Sequence, residues 1–271
     1  MEKVNLALIT GGSSGIGLAL ARKLVLEGYD VCLISRKRSN LHPAKKELIK
    51  LLVHEGQQVY LLSADVTDYV ALKKKLERWT TEHGLPDLVV NSAGVAYPGY
   101  FQDLDIEIFH WLMEVNYFGT LHTIKCLIPE MIERGSGKIV NISSQAGFVS
   151  IFGYSGYSAS KFAVRALSDS MRAEMKHFGI EVSIVFPPDT ETPQLEFEEP
   201  LKPKETKALA GQSSTLTADQ VADSIYRGIQ KGDYIILPGF EGKVFYRLVN
   251  LLGNLQYPIL DWLVSRARKQ E

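Results

Sequence analysis

A chain of 271 residues with 45% apolar side chains is long enough to bury the core of one large α/β domain. Its 30 basic and 31 acidic side chains leave a net charge of −1, which argues against nucleic acid as a partner and for a small molecule. No apolar run reaches the 18 or so residues of a membrane-spanning helix, and the opening MEKVNLALITGG has too short an apolar stretch for a signal peptide, so a cytoplasmic location is the default expectation. The two cysteines, Cys32 in VCLI and Cys126 in KCLI, sit in apolar surroundings, which suits two buried reduced thiols better than a disulfide or a metal site.

In chain order, VNLALIT leads into a helix ending near Glu27, DVCLIS into one ending near Glu55, and QVYLLSA into one ending near His83. DLVVN precedes a helical pattern from Ile106 to about Arg134, and GKIVNIS precedes one from Tyr157 to Phe178. IEVSIVF precedes a helix from Ala218 to Lys231, and YIILP closes the series. Seven apolar runs alternating with helices predict a doubly wound, seven-stranded parallel sheet with helices on both faces, a Rossmann-type α/β domain over residues 1–238. Residues 189–215, rich in Pro, Glu, Lys, Thr and Ser, read as a long substrate-side loop, and 239–271 as a separate amphipathic appendage.

Between the first strand and first helix stands TGGSSGIG. A pyrophosphate requires a tight turn, a backbone that lets it come close, and a helix N-terminus whose free N–H groups attract an anion. Thr10, Gly11, Ser13, Ser14, Gly15, Ile16 and Gly17 are therefore candidate dinucleotide-binding residues. The second strand ends in LISRKR. An NAD site commonly has a carboxylate here for the ribose 2′-OH, whereas a 2′-phosphate needs a cation. Ser35 and Arg36 thus point to NADPH/NADP+, the alternative being a merely solvated basic turn.

The stretch GYSGYSASK offers two tyrosines, Tyr154 and Tyr157, in front of one lysine. Carbonyl reduction requires a proton for the developing alkoxide, and a phenol near an ammonium can supply it. Residues four apart share a helix face, so Lys161 pairs with Tyr157, while Tyr154 plus four is Ser158. Tyr154 is left as either a wall of the substrate cleft or a packed aromatic.

The series Thr10-Gly11-x-x-x-Gly15-Ile16-Gly17, Asn91-Ser92-Ala93-Gly94, Ser144 and Tyr157-x-x-x-Lys161 resembles the short-chain dehydrogenase/reductase family over nearly the whole chain to residue 238. The resemblance implies that Asp65 and Val66 border the adenine, and that Asn91, Ala93 and Gly94 line the cofactor. It also implies that Ser144, 13 residues before Tyr157, orients the substrate oxygen, with Gln145 and Tyr154 beside it. Lys161 would lower the Tyr157 pKa and hold the ribose, and Asn116 would hold a water linking that lysine to solvent. In FPPDTETP, Pro187, Thr190 and Thr192 would bind the carboxamide. Pro188 stands where the family usually has glycine, which stiffens the turn. A homodimer or homotetramer built on the helices carrying Asn116 and Tyr157 is the family's usual assembly.

SSQAG, FGYSGYSASKFA and PPDTETP are most similar to the branch of that family that reduces 3-ketodihydrosphingosine with NADPH. Another lipophilic ketone, such as a retinoid, steroid or fatty-acyl ketone, is the second expectation, and a non-catalytic NADP(H)-binding regulator the third. In the appendage, Val244, Leu248, Leu251, Leu252, Leu255, Ile259, Trp262 and Leu263 recur at helical spacing broken by Pro258, beside five basic and three acidic residues from 241 to 271. Such a helix either packs on protein, as core, subunit contact or cleft cover, or lies peripherally in a membrane interface.

Overall fold

Each apolar run becomes a strand in the computed structural model, which describes residues 5–210 and 215–269. Residues 1–4, 211–214 and 270–271, which include part of the expected loop and both chain ends, lie outside the described residues. Strands β1 (Leu6–Thr10), β2 (Asp30–Ser35), β3 (Val59–Ser63), β4 (Leu88–Asn91), β5 (Gly137–Ile142) and β6 (Ile180–Val185) are followed by the two-residue β7 (Thr190–Glu191), β8 (Leu216–Thr217) and β9 (Ile235–Ile236). The helices are α1 (Gly15–Leu26), α2 (Arg38–Leu48), α3 (Tyr69–His83), α4 (Ile106–Met113), α5 (Gly119–Arg134), α6 (Ser155–Met175), α7 (Pro193–Glu198), α8 (Lys204–Ala210), α9 (Ala218–Lys231), α10 (Phe240–Leu252) and α11 (Gln256–Arg268).

The main sheet has the order β3-β2-β1-β4-β5-β6-β9, and every pairing in it is parallel. Strand side chains alternate between two apolar layers. Ala7 and Ile9 of β1 pack with Leu20 and Leu24 of α1 and Val221 and Ile225 of α9. Leu6 and Leu8 face the other way, onto Leu72 and Leu76 of α3 and Ile124 and Leu127 of α5. The order of connections reverses between β1 and β4, and at such a switch point the carboxyl ends of the strands open into a crevice.

Four details differ from the sequence reading. Helix α2 stops at Leu48, followed by a short 3-10 turn to Leu51, well before Glu55. The Gln57 side chain folds the chain back, accepting from Val53 N–H at 2.8 Å and donating to the carbonyls of Val25 and Tyr29 at 2.8 Å each. The helical pattern from 106 to 134 is interrupted by a π-turn at Glu114–Phe118, just before Gly119, where a Cβ would lie 2.6 Å from the Val66 side chain. The segment expected to be a loop holds α7, α8 and a small parallel pairing of β7 with β8. Thr192 caps α7 and Pro193 occupies its first turn, a helix start written in the letters TP. In the appendage the break falls at Gly253–Leu255, whereas Pro258 sits in the first turn of α11, where its missing N–H costs nothing. Helix α10 packs inward through Val249, Phe245 and Tyr246 onto Phe148, Ile184 and Phe186.

Candidate active site

At the carboxyl end of β1 the chain turns through TGGSSGIG into α1. Gly11 has φ +66, and a Cβ there would meet the Ser92 carbonyl at 2.7 Å; at Gly17 it would meet the Gly11 carbonyl at 2.5 Å. Only glycine permits backbone this close. Ser14 occupies the N-cap of α1 without a side-chain cap bond, and no acidic residue sits in the first turn, so the N-terminal N–H groups and Ser13 and Ser14 are open to an anion. Ile16 packs beneath them against the core. Ser35 ends β2 on the same side, and the exposed Arg36 guanidinium has no partner among the described residues. Among its own contacts, Thr10 braces the site, its hydroxyl oxygen accepting from the N–H groups of Ser92 at 3.1 Å and Ala93 at 3.2 Å. Asn91 Nδ2 donates to Asn141 Oδ1 at 2.9 Å inside the sheet. Asp65 accepts from the Thr67 N–H and hydroxyl, shaping the turn that leads to buried Val66. These residues fit a dinucleotide: bare backbone, an open helix N-terminus and an unpaired cation in sequence around one crevice.

Across the crevice, β5 ends beside the first turns of α6. Ser144 is extended and accepts from the Ala146 N–H at 3.2 Å, and its hydroxyl neighbours the Tyr157 phenol. Ser143 faces away, donating to the Lys161 carbonyl at 3.0 Å. The Lys161 ammonium lies 5.7 Å from the Tyr157 ring centre and donates to the Ile142 carbonyl at 3.0 Å. Burial lowers its pKa to about 8. Burial, and then the nearby Glu198 carboxylate, pushes the Tyr157 phenol above its ordinary value. Lowering of the Tyr157 pKa by Lys161 is therefore not what this arrangement displays: the ammonium is turned to a strand carbonyl and is itself poorly solvated.

Gly94 borders both functional groups, since a Cβ there would lie 3.2 Å from Asn116 Oδ1 and 3.5 Å from Lys161 Nζ. Asn116, in the π-turn, spends its whole side chain on protein. Its Oδ1 accepts from the Val95 N–H at 2.8 Å, and its Nδ2 donates to the Val95 carbonyl and Ser160 Oγ at 2.9 Å each. The amide thus clamps the cleft wall. Pro187 accepts from the Gln145 N–H at 3.1 Å, and the Gln145 amide points toward α10, where a Cβ on Gly242 would lie 3.4 Å away. Thr190 donates to the Pro188 carbonyl at 2.8 Å, which pins the turn. Thr192 accepts from the Leu195 N–H at 3.3 Å, with its methyl near Gly15.

Two residues, Gln194 and Glu198, were missed by the sequence reading, and they meet Tyr154, which it had left as cleft wall or packed aromatic. Tyr154 is buried, its ring 5.7 Å from that of Tyr157, and its hydroxyl donates to Glu198 Oε2 at 2.7 Å. Gln194 donates to Glu198 Oε1 at 2.8 Å. Both come from α7, where positions four apart share a face. Burial pushes the Glu198 carboxyl above the usual carboxylate range, against the hydrogen bonds from Tyr154 and Gln194. Tyr97 and the half-exposed Phe197 form a ring pair 6.2 Å apart at the rim of the same segment.

Comparison with known proteins agrees with this geometry. The 3-ketodihydrosphingosine reductase of Bos taurus is 36% identical over 242 residues, covering 89% of this chain and 73% of that protein. The protein of the same name from Dictyostelium discoideum is 37% identical over 272 residues, covering 95% and 81%. A short-chain dehydrogenase from Sphingobium yanoikuyae, solved in complex with NADPH, superposes with a TM-score of 0.78 at 28% identity, covering 95% of this chain and 96% of that one. The family model for short chain dehydrogenases matches residues 5–201, and the chain belongs to that family.

Proposed function

We propose that the protein is an NADPH-dependent reductase of a long-chain ketone, 3-ketodihydrosphingosine, yielding dihydrosphingosine. The observation that carries the reading is the convergence of Ser144, Tyr157 and Lys161 beside the glycine turn. The relatives named for this activity, and the NADPH of the similar dehydrogenase, supply the substrate and cofactor. NADPH, when bound, supplies the hydride. Tyr157 gives its phenolic proton to the substrate oxygen, which as an alkoxide is more basic than the phenolate left behind. Ser144 donates a hydrogen bond to the same oxygen as charge builds. Lys161 binds the ribose and re-protonates Tyr157, while Asn116 positions the wall at Val95. Asp65, Val66, Asn91, Ala93, Gly94, Pro187, Thr190 and Thr192 bind the cofactor, with Ser35 and Arg36 on its 2′-phosphate and Gln145 and Tyr154 on the substrate side.

The same proposal includes a catalytic body at 1–238, an extension from 239, self-association through α4–α6, and peripheral contact with a membrane through α10 and α11. Exposed Phe240, Leu251, Leu255 and Trp262, next to Lys243, Arg247, Arg266 and Lys269, support that contact. No helix among the described residues is long and apolar enough to cross a membrane.

The test is oxidation of NADPH by the purified protein with 3-ketodihydrosphingosine. Turnover is expected, slower with NADH, and Tyr157→Phe is expected to cut it by about a thousandfold with cofactor binding retained. Turnover of other ketones alone would replace the substrate, and full activity of the Tyr157→Phe protein would remove the acid assignment.

A further inference from the structure

The proposed chemistry uses Ser144, Tyr157 and Lys161 and leaves one buried carboxylate without a task. Glu198 is 6% exposed and stands at the end of α7 facing the reacting tyrosine. Its two hydrogen bonds come from neutral donors, the Tyr154 hydroxyl at 2.7 Å and the Gln194 amide at 2.8 Å. Among the described residues no lysine, arginine or histidine forms an ion pair with it. Lys202 is nearby but engaged, at 2.9 Å from Glu199 and 3.6 Å from Asp189, and Lys161 is turned to the Ile142 carbonyl.

Burying a carboxylate without a cation costs several kcal/mol, and an amide of the same shape would make two hydrogen bonds here without that cost. The charge of Lys202 reaches Glu198 only from a distance, so the acid is left without a direct cationic partner, which a cationic ligand would supply. Tyr154 measures the gap, because its ring lies 5.7 Å from that of Tyr157 while its hydroxyl donates to Glu198 at 2.7 Å. A ketone whose oxygen meets Tyr157 thus has its neighbouring substituents beside Glu198. 3-Ketodihydrosphingosine carries a primary amine on the carbon next to the ketone, charged at neutral pH.

We propose that Glu198 is the ammonium-binding residue of the substrate cleft, a specificity-determining carboxylate that selects ketones bearing a protonated amine on the adjacent carbon. The inference rests on the reductase reading above. Tyr154 is then a positioning residue that holds the carboxylate toward the cleft, and it is this contact, with its partner on α7, that separates Tyr154 from Tyr157.

The experiment compares kcat/KM with NADPH at pH 7 for 3-ketodihydrosphingosine and for the ketone of the same length lacking the amine, in the wild type and in Glu198→Gln, with NADPH binding followed by fluorescence. Wild type is expected to prefer the amino ketone by about 30-fold, the value of one charge-assisted hydrogen bond, and Glu198→Gln to erase most of that preference. A wild-type ratio near one, or an unchanged ratio in Glu198→Gln, overturns the proposal while leaving the reductase standing. Absence of turnover with either ketone overturns the reductase reading instead. Should Glu198→Gln lose NADPH binding through misfolding, the substrate analogue with a hydroxyl in place of the amine, nearly the same shape without the charge, decides on the wild type: a loss of about 30-fold supports the proposal and equal turnover refutes it.

Discussion

Lys161 is held where an ammonium is uncomfortable. It is 5% exposed and burial lowers its pKa to about 8, so between that value and the ordinary lysine value the folded protein binds fewer protons than the unfolded chain. Unfolding then takes up protons, and stability attributable to this residue rises with pH through that window. Below pH 8 the full cost of the buried charge is present, about 3 kcal/mol for a shift of this size. Lys161→Met should therefore be inactive yet more stable than wild type at pH 7, and the gain should shrink toward zero as the pH approaches 10.5, the lysine's ordinary value. Urea unfolding of both proteins at pH 7 and 10 measures it; comparison with wild type cancels the other titrating groups, and a constant difference would disprove the burial cost. At this scale the sequence was informative where chemistry fixes a spacing. The pairing of Tyr157 with Lys161 follows from four residues on a helix, and Ser144 from the 13-residue step that the family resemblance implies. Glu198 could not be found that way, because nothing in FEEP tells a buried acid from a solvated one until α7 is folded against Tyr154.

Elements were legible in proportion to their apolar pattern. All seven strands of the main sheet appear, and α9 runs over Ala218–Lys231 as its periodicity, with a Thr217/Gln220 capping box, requires. The π-turn at Glu114–Phe118 was not legible, since the apolar spacing runs through it unbroken and the close approach of Val66 to Gly119 comes from another part of the chain. The short helices of residues 189–210 were hidden by their polar composition. The glycine turn makes its own prediction. A methyl at Gly17 would stand 2.5 Å from the Gly11 carbonyl, so Gly17→Ala must displace the turn from the N-terminus of α1. A loss of about 1–3 kcal/mol in stability is expected. The larger effect should be on NADPH: its thermal stabilisation of wild type should be absent in Gly17→Ala, and an undiminished Tm increase would show that the turn does not cradle the cofactor.

For the molecule as a whole, the appendage is divided between two duties. Its inner side, through Val249, Phe245 and Tyr246, covers Phe148 and Phe186, so cutting the chain before α10 would expose core and confuse any binding assay. Its outer side leaves Leu251 85% and Trp262 58% exposed. Wild type is expected to float with anionic liposomes, and the double variant Leu251→Glu, Trp262→Glu, which keeps the inner side, to lose that flotation; equal recovery of both in the floated fraction would contradict a membrane role for this face. Arg268, near the end of α11, donates to Glu205 of α8 at 3.0 Å, and Tyr100 donates to the same carboxylate at 2.9 Å. The last helix is in this way fastened to the segment that carries Gln194 and Glu198 beside Tyr154 and Tyr157. Any movement of that segment to admit a long alkyl chain pulls on α11 as well, so a surface that grips the outer face of the appendage acts as a hand on the latch of the cleft.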